Sequence, residues 1–183
     1  MSDGAVPAGG PVSEGGPAVF VVSEGGAAAF VVREAVTAED REACFAVRKE
    51  VFVREQGVPE EIEYDAYDDG AVHVLAVRAD DGLPLGTGRL LLGEAALAKT
   101  GDPAVGSLGR LAVAKAARGL GVGAALVRAI EECARARGLS GVDLHAQTHA
   151  LGFYERLGYV AYGPEFDDAG MPHRGMRREL TAG

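Results

Sequence analysis

The run Arg118-Gly119-Leu120-Gly121-Val122-Gly123 combines residue types suited to binding an anion. Residues 108–114 before it are apolar enough for a short buried strand, ending in Leu111, Ala112 and Val113. After it, Ala125, Leu126, Ala129, Ile130 and Cys133 repeat at helical spacing. Three glycines and an arginine therefore sit where a strand turns into a helix. Glycine permits positive φ and lets backbone approach a ligand with no Cβ in the way. The first amides of a helix have no partner inside it and attract negative charge. The pattern predicts a phosphate cradle. It is not a P-loop, because Ala124-Ala125 stands where Lys-Ser or Lys-Thr would be needed. Nor does it fit a dinucleotide fingerprint, which belongs to the first strand of a βαβ unit with an acid about 20 residues on. Here the run lies late in the chain, and Asp143 falls inside a strand-like segment.

The groups able to move a proton near neutral pH are four histidines, His73, His145, His149 and His173. His145 and His149 have i, i+4 spacing, but they straddle a strand-to-helix junction and Ala146 stands where a metalloprotease needs Glu. No metal site is expected. Cys44 and Cys133 lie within helical patterns without metal spacing, and read as small buried side chains in a reducing compartment. Neither suits a nucleophile.

The elements that must position these groups follow from periodicity. Residues 30–35 form a strand, and Thr37 caps a helix running to about Phe52. Gly57 and Pro59 stop it, and the acidic run 60–69 reads as a solvated loop for most of its carboxylates. Residues 72–77 and 85–92 are antiparallel strands about the Asp80-Asp81-Gly82 turn. A helical turn or two at 94–100 precedes the central strand and cradle. The long helix ends at Gly138, residues 142–146 form the next strand, 148–157 a shorter helix, and 159–162 and 175–180 the last two strands. The order is that of a mixed α/β domain with helices on both faces of one sheet.

The 183 residues suit one domain with a real core. A net charge of −9 argues against nucleic-acid binding and weakly favours a cationic small molecule. Residues 1–28 are a Gly/Ala-rich leader, expected to be disordered apart from an added edge strand, with the domain spanning 29–183. The leader lacks the cationic and apolar regions of a signal peptide, and no apolar run approaches the roughly 18 residues of a membrane span. A cytoplasmic protein is expected, with no membrane partner; the sheet edges offer a route to a homodimer.

The segment Arg-x-x-Gly-x-Gly opening a helix after Leu-x-Val resembles motif A of the GNAT acyl-CoA-dependent N-acyltransferases. Phe153-Tyr154-Glu155-Arg156-Leu157-Gly158-Tyr159 is similar to the end of that family's motif B. Ala146-Gln147, Gly163-Pro164-Glu165-Phe166, Gly170-Met171-Pro172-His173, the Arg48-to-Gln56 pattern, and Asp65, Asp68 and His73 resemble its ElaA-like branch. One departure is Gln147, where many members carry Asn on the pantetheine arm.

The resemblance implies a GNAT fold, in which a mixed, mostly antiparallel central sheet is splayed at the acyl-CoA site. It implies acetyl-CoA as co-substrate, without a metal, and transfer to a primary amine of a small molecule by direct attack in a ternary complex. Cofactor binding falls to Leu111, Ala112, Val113, Arg118, Gly119, Leu120, Gly121, Val122, Gly123, Ala124, Gln147, Phe153 and Tyr154. Tyr154 is the expected proton donor to the leaving thiolate, since a thiol titrates near about 8.5 and tyrosine near about 10. For the base, Glu55, His73 and His145 remain open, with a water relay. His73 alternates with Val72 and Val74 and so points toward a cleft. Arg89 and Arg110 lie on central strands, where an arginine needs an ion pair or an anionic ligand. Two other readings compete: a non-catalytic acyl-CoA-binding domain, and an enzyme like the acyl-homoserine-lactone synthases, which share the fold and the Arg48-x-x-Val51-Phe52 pattern.

Overall fold

The computed structural model describes residues 19–22 and 30–181. In chain order these form β1 (Val19–Val22), β2 (Phe30–Glu34), α1 (Ala38–Arg48), α2 (Glu60–Glu63), β3 (Val72–Arg78), β4 (Pro84–Leu91) and α3 (Gly93–Thr100). There follow β5 (Val105–Val113), α4 (Val122–Ala136), β6 (Gly141–Gln147), α5 (Leu151–Arg156), β7 (Val160–Asp168) and β8 (Met171–Glu179). One sheet holds all the strands in the order β1-β2-β3-β4-β5-β6-β8-β7. Every neighbouring pair is antiparallel except β5–β6. Of the leader, β1 pairs with β2 at the sheet edge; the remainder of the leader lies outside the described residues.

Helical spacing gives α4 a buried stripe of Leu126, Val127, Ile130 and Cys133. That stripe packs on one sheet face against Val32, Val74, Leu90 and Val142. On the opposite face α1 brings Cys44 onto Leu75 and Val77, while Val47 and Val51 meet Ala112. Covering both faces explains why β3 is buried continuously rather than in alternation. Burial pushes the Cys44 and Cys133 thiols up to about 11 each, so neither is a ready nucleophile.

Thr37 caps α1 by accepting the Asp40 amide at 3.1 Å. Beyond Arg48 the helix loosens into a π-helical segment, Lys49–Glu55, closed by a 3.1 Å bond from the Gln56 amide to the Val51 carbonyl. β7 and β8 are longer than the sequence indicates. The pairing passes Gly163-Pro164 through an irregularity between Tyr162 and Phe166 and resumes with Phe166 opposite His173.

The feature that shapes the site is a parting of β5 and β6. Their register runs from Val105 opposite Gly141 to Leu108 opposite Leu144 and stops there. Just beyond, β5 carries an extra residue against β4, since Arg89 faces Gly109 but Thr87 faces Ala112. Arg110 sits in this bulge with φ +49°, a strained conformation for a side-chain-bearing residue. The bulge bends β5 and leaves residues 109–113 with no β6 partner along that edge.

Candidate active site

A cleft of about 520 Å³ opens where β5 and β6 diverge. Leu108–Leu111 form one wall and Leu144–Gln147 the other. Phe52, Gln56 and Ile62 lie over it, and His173 and Tyr154 also line it. The π-helical segment is what carries Phe52 and Gln56 to this position.

At the α4 end of the splay lies the glycine turn. Gly119 and Gly121 have φ of +84° and +83°, and an added Cβ at either would meet nothing within 4 Å. Glycine is therefore required by backbone conformation, with open space above the turn. Among the described residues, the amides of Gly119, Leu120, Gly121, Val122, Gly123 and Ala124 donate to no backbone or side-chain acceptor; the first α4 bond is Ala125 N–H to Gly121 O at 3.1 Å. These donors at the positive end of a 15-residue helix fit a pyrophosphate. Gly123 packs under Phe153, whose ring would lie 3.3 Å from an added Cβ. Arg118 turns away from the amides: its Nε donates to Val113 O at 3.1 Å and its Nη2 to both Glu55 oxygens.

Leu111, Ala112 and Val113 stand on the β5 edge that β6 vacates, and Gln147 ends β6 across the cleft. Tyr154 on α5 is 9% exposed, edge-on to Phe153 at 4.9 Å. Burial pushes its hydroxyl up to about 12, with no hydrogen bond contributing to that shift. The phenol thus stays protonated at neutral pH and faces the cleft.

Two of the sequence-derived base candidates are placed elsewhere. His73 is 1% exposed and does not line the cleft. Strand alternation does turn it away from Val72 and Val74, but the side it reaches is covered by α1. There it lies edge-on to Phe45 at 5.6 Å, with Nε2 2.9 Å from Asp68 O. Burial lowers its pKa. Glu55 is held by Arg118 at 2.8 Å, on the cradle side, and is not part of the cleft lining. His145, by contrast, lines the cleft.

In the acidic run Glu60, Glu61 and Asp69 are exposed, but two other carboxylates are buried. Glu63 and Asp68 are buried at 2% and 6%, rather than solvated. Arg48, fully buried, donates to Glu63 at 2.7 Å and Asp68 at 2.7 Å. Arg89 reaches Asp65 at 2.7 Å and Asp68 at 2.9 Å, which resolves its role as structural. Arg110, at the cleft wall, contacts the Glu63 carbonyl at 3.2 Å and Asp65 at 3.4 Å. Three arginines therefore consume three of the run's carboxylates, Glu63, Asp65 and Asp68. Arginines at helix and strand positions facing the core were the sequence signal for this network.

Among the described residues no cluster of three His, Cys, Asp or Glu side chains is arranged to hold a metal ion, and no helix is long and apolar enough to cross a membrane.

Residues 34–180 match the family model described as an acetyltransferase (GNAT) domain. An uncharacterized N-acetyltransferase of Bacillus subtilis, YjcF, is 38% identical over 150 residues, covering 80% of this chain and 99% of its own. Protein ElaA of Escherichia coli is 32% identical over 143 residues, covering 75% and 86%. The crystal structure of an acyl-CoA N-acyltransferase from Pseudomonas aeruginosa superposes with a TM-score of 0.67 at 32% identity, over 81% of this chain and 97% of that one.

Proposed function

This chain belongs to the GNAT acetyltransferase family and is an acyltransferase that draws its acyl group from CoA; on that premise we propose that it transfers an acetyl group from acetyl-CoA to the primary amine of a small molecule, by direct attack in a ternary complex. The observation that carries this reading is the conjunction, in one splayed sheet, of unpaired helix-start amides, a vacated β5 edge and a protonated tyrosine hydroxyl.

When bound, acetyl-CoA supplies an activated thioester carbonyl. The amides of residues 119–124 hold its pyrophosphate, and the vacated edge of Leu111, Ala112 and Val113 pairs with the pantetheine arm as one strand pairs with another. Gln147 contacts that arm from β6. A β5 amide next to the bulge polarises the carbonyl. Phe153 closes the cradle over Gly123. Tyr154 gives its proton to the leaving sulfur. With both thiols buried and held protonated, the amine attacks the thioester itself rather than an acylated enzyme.

Calorimetry with acetyl-CoA tests the cofactor site. Micromolar binding is expected for the wild type, lost in Gly121→Glu and kept in Tyr154→Phe. A screen of amines for release of free CoA thiol, with product mass analysis, then tests the transfer. Absence of acetyl-CoA binding overturns the reading, and a lactone product would place the chain with the homoserine-lactone synthases.

A further inference from the structure

Behind the β6 wall of the cleft lies a carboxylate with one oxygen left over. Asp143 is 1% exposed. Its Oδ2 accepts the Tyr162 hydroxyl at 2.5 Å and Arg177 Nε at 3.0 Å. Its Oδ1 is buried with no hydrogen-bond partner. A buried charged oxygen without a partner is destabilising unless something uses it. His145 Nε2 lies 3.9 Å from Oδ1, two residues along the same face of β6. His145 is 39% exposed at the side chain and lines the cleft.

The surroundings are built around this pair. Gly175 lies opposite both His145 on β6 and Tyr162 on β7. A Cβ there would come within 2.7 Å of the Tyr162 ring, so glycine is what lets that ring cross β8 and reach Asp143. Arg177 is spent on Oδ2 and on Thr100 O at 2.8 Å. Phe166 packs edge-on to the His145 ring at 5.1 Å. The titratable groups around the pair are Arg177 and His173 on β8, Tyr162 and Asp168 on β7, His149 just after β6 and Tyr154 on α5, with Glu63, Arg89, Lys99 and Arg110 also lining the cleft. Of the three cleft histidines, His173 already uses Nδ1 on Met171 O at 2.8 Å, and His149 has no carboxylate beside it in the described contacts.

We propose that His145 is the proton acceptor for the incoming amine and that Asp143 is its positioning residue, the unpartnered Oδ1 facing Nε2–H and stabilising the imidazolium formed when the other ring nitrogen takes the amine's proton. This rests on the acetyl-transfer reading above. A primary amine arrives as an ammonium at neutral pH, with a pKa of about 10, and must lose a proton before it can attack. His145 takes that proton. The nitrogen–carbonyl bond then forms as the carbon–sulfur bond breaks, and Tyr154 protonates the sulfur. The second nitrogen proton returns to the Tyr154 oxygen, and His145 passes its proton to water.

The test uses the full chain saturated with acetyl-CoA and whichever amine supports thiol release in the screen. His145→Gln is expected to bind acetyl-CoA as the wild type does, lose about 100-fold or more in kcat/KM at pH 7, and regain activity as pH rises and the amine deprotonates unaided. Asp143→Asn is expected to move the acid limb of kcat/KM to lower pH, a shift that a purely structural carboxylate would not produce. Should Asp143→Asn fail to fold, the half-exposed His145 decides the matter alone. Thiol release in His145→Gln with a wild-type pH profile overturns the dyad and leaves acetyl transfer standing. Release with no amine at all overturns both.

Discussion

Arg118 donates through one guanidinium nitrogen to both oxygens of Glu55, at 3.0 and 2.8 Å, tying the glycine turn before α4 to the end of the π-helical segment after α1. The carboxylate competes for a cation that borders the anion cradle. Exposed pairs of this kind are worth about 0.2–1 kcal/mol. Glu55→Gln is therefore expected to tighten CoA binding by up to about fivefold in calorimetry, without changing the pH profile of the rate. A loss of binding, or of the acid limb, would return Glu55 to a direct role.

Gly121 has φ +83° with open space around it. Alanine there is expected to lower stability by about 1–2 kcal/mol through backbone strain alone, measured by denaturant unfolding. Glutamate adds a negative charge at the cradle, so it should weaken CoA binding well beyond the alanine variant. Equal effects of the two would mean that the turn does not face the pyrophosphate.

Tyr154→Phe removes a hydroxyl that is held protonated by burial. The fold should be unaffected, and CoA affinity should hold. In single-turnover experiments kcat is expected to fall by about 10²–10⁴. With the hydroxyl pushed up to about 12, no loss of rate from its ionisation should occur below about pH 11.

The buried network gives the fold an acid-sensitive component. Arg48 and the Asp65 amide hold the Asp68 carboxyl down to about 2, against the burial that would raise it. Its folded pKa lies below the unfolded one, so the stabilisation is complete above about pH 4 and is lost as pH falls through about 2. The two-unit difference corresponds to about 2–3 kcal/mol. Asp68→Asn should flatten stability against pH in that window. Arg48→Met, which removes the closest cation from both Glu63 and Asp68, should cost about 3–5 kcal/mol in thermal or denaturant unfolding.

Both thiols are buried and pushed up to about 11. Cys44→Ala and Cys133→Ala are each expected to keep kcat while lowering the midpoint of unfolding. A loss of activity with retained fold in either would argue for an acyl-enzyme.

Local signals made much of this protein legible. The strand–glycine–helix sequence at 108–137, with Gly119 and Gly121 at positive φ, depends on residues adjacent in the chain, and the Phe153-Tyr154 pair follows from the same kind of short-range pattern. β7 and β8 extend beyond the strands expected at 159–162 and 175–180, because the added pairing, with Phe166 opposite His173, is made between segments and not within either.

The sequence by itself determined most of the elements, the cradle and the family resemblance, because helix periodicity, glycine conformation and motif spacing are properties of neighbours along the chain. Only the tertiary structure decided which side chains share the cleft. His73 alternates correctly on β3 yet ends beneath α1, because period-two geometry selects a face and not what covers it. Glu63 and Asp68 belong to a run that reads as mostly solvated until Arg48, Arg89 and Arg110 arrive from α1, β4 and β5. The pairing of β5 with β6 stops at Leu108 for a reason held in the bulge at Arg110, a register between strands that no single segment encodes.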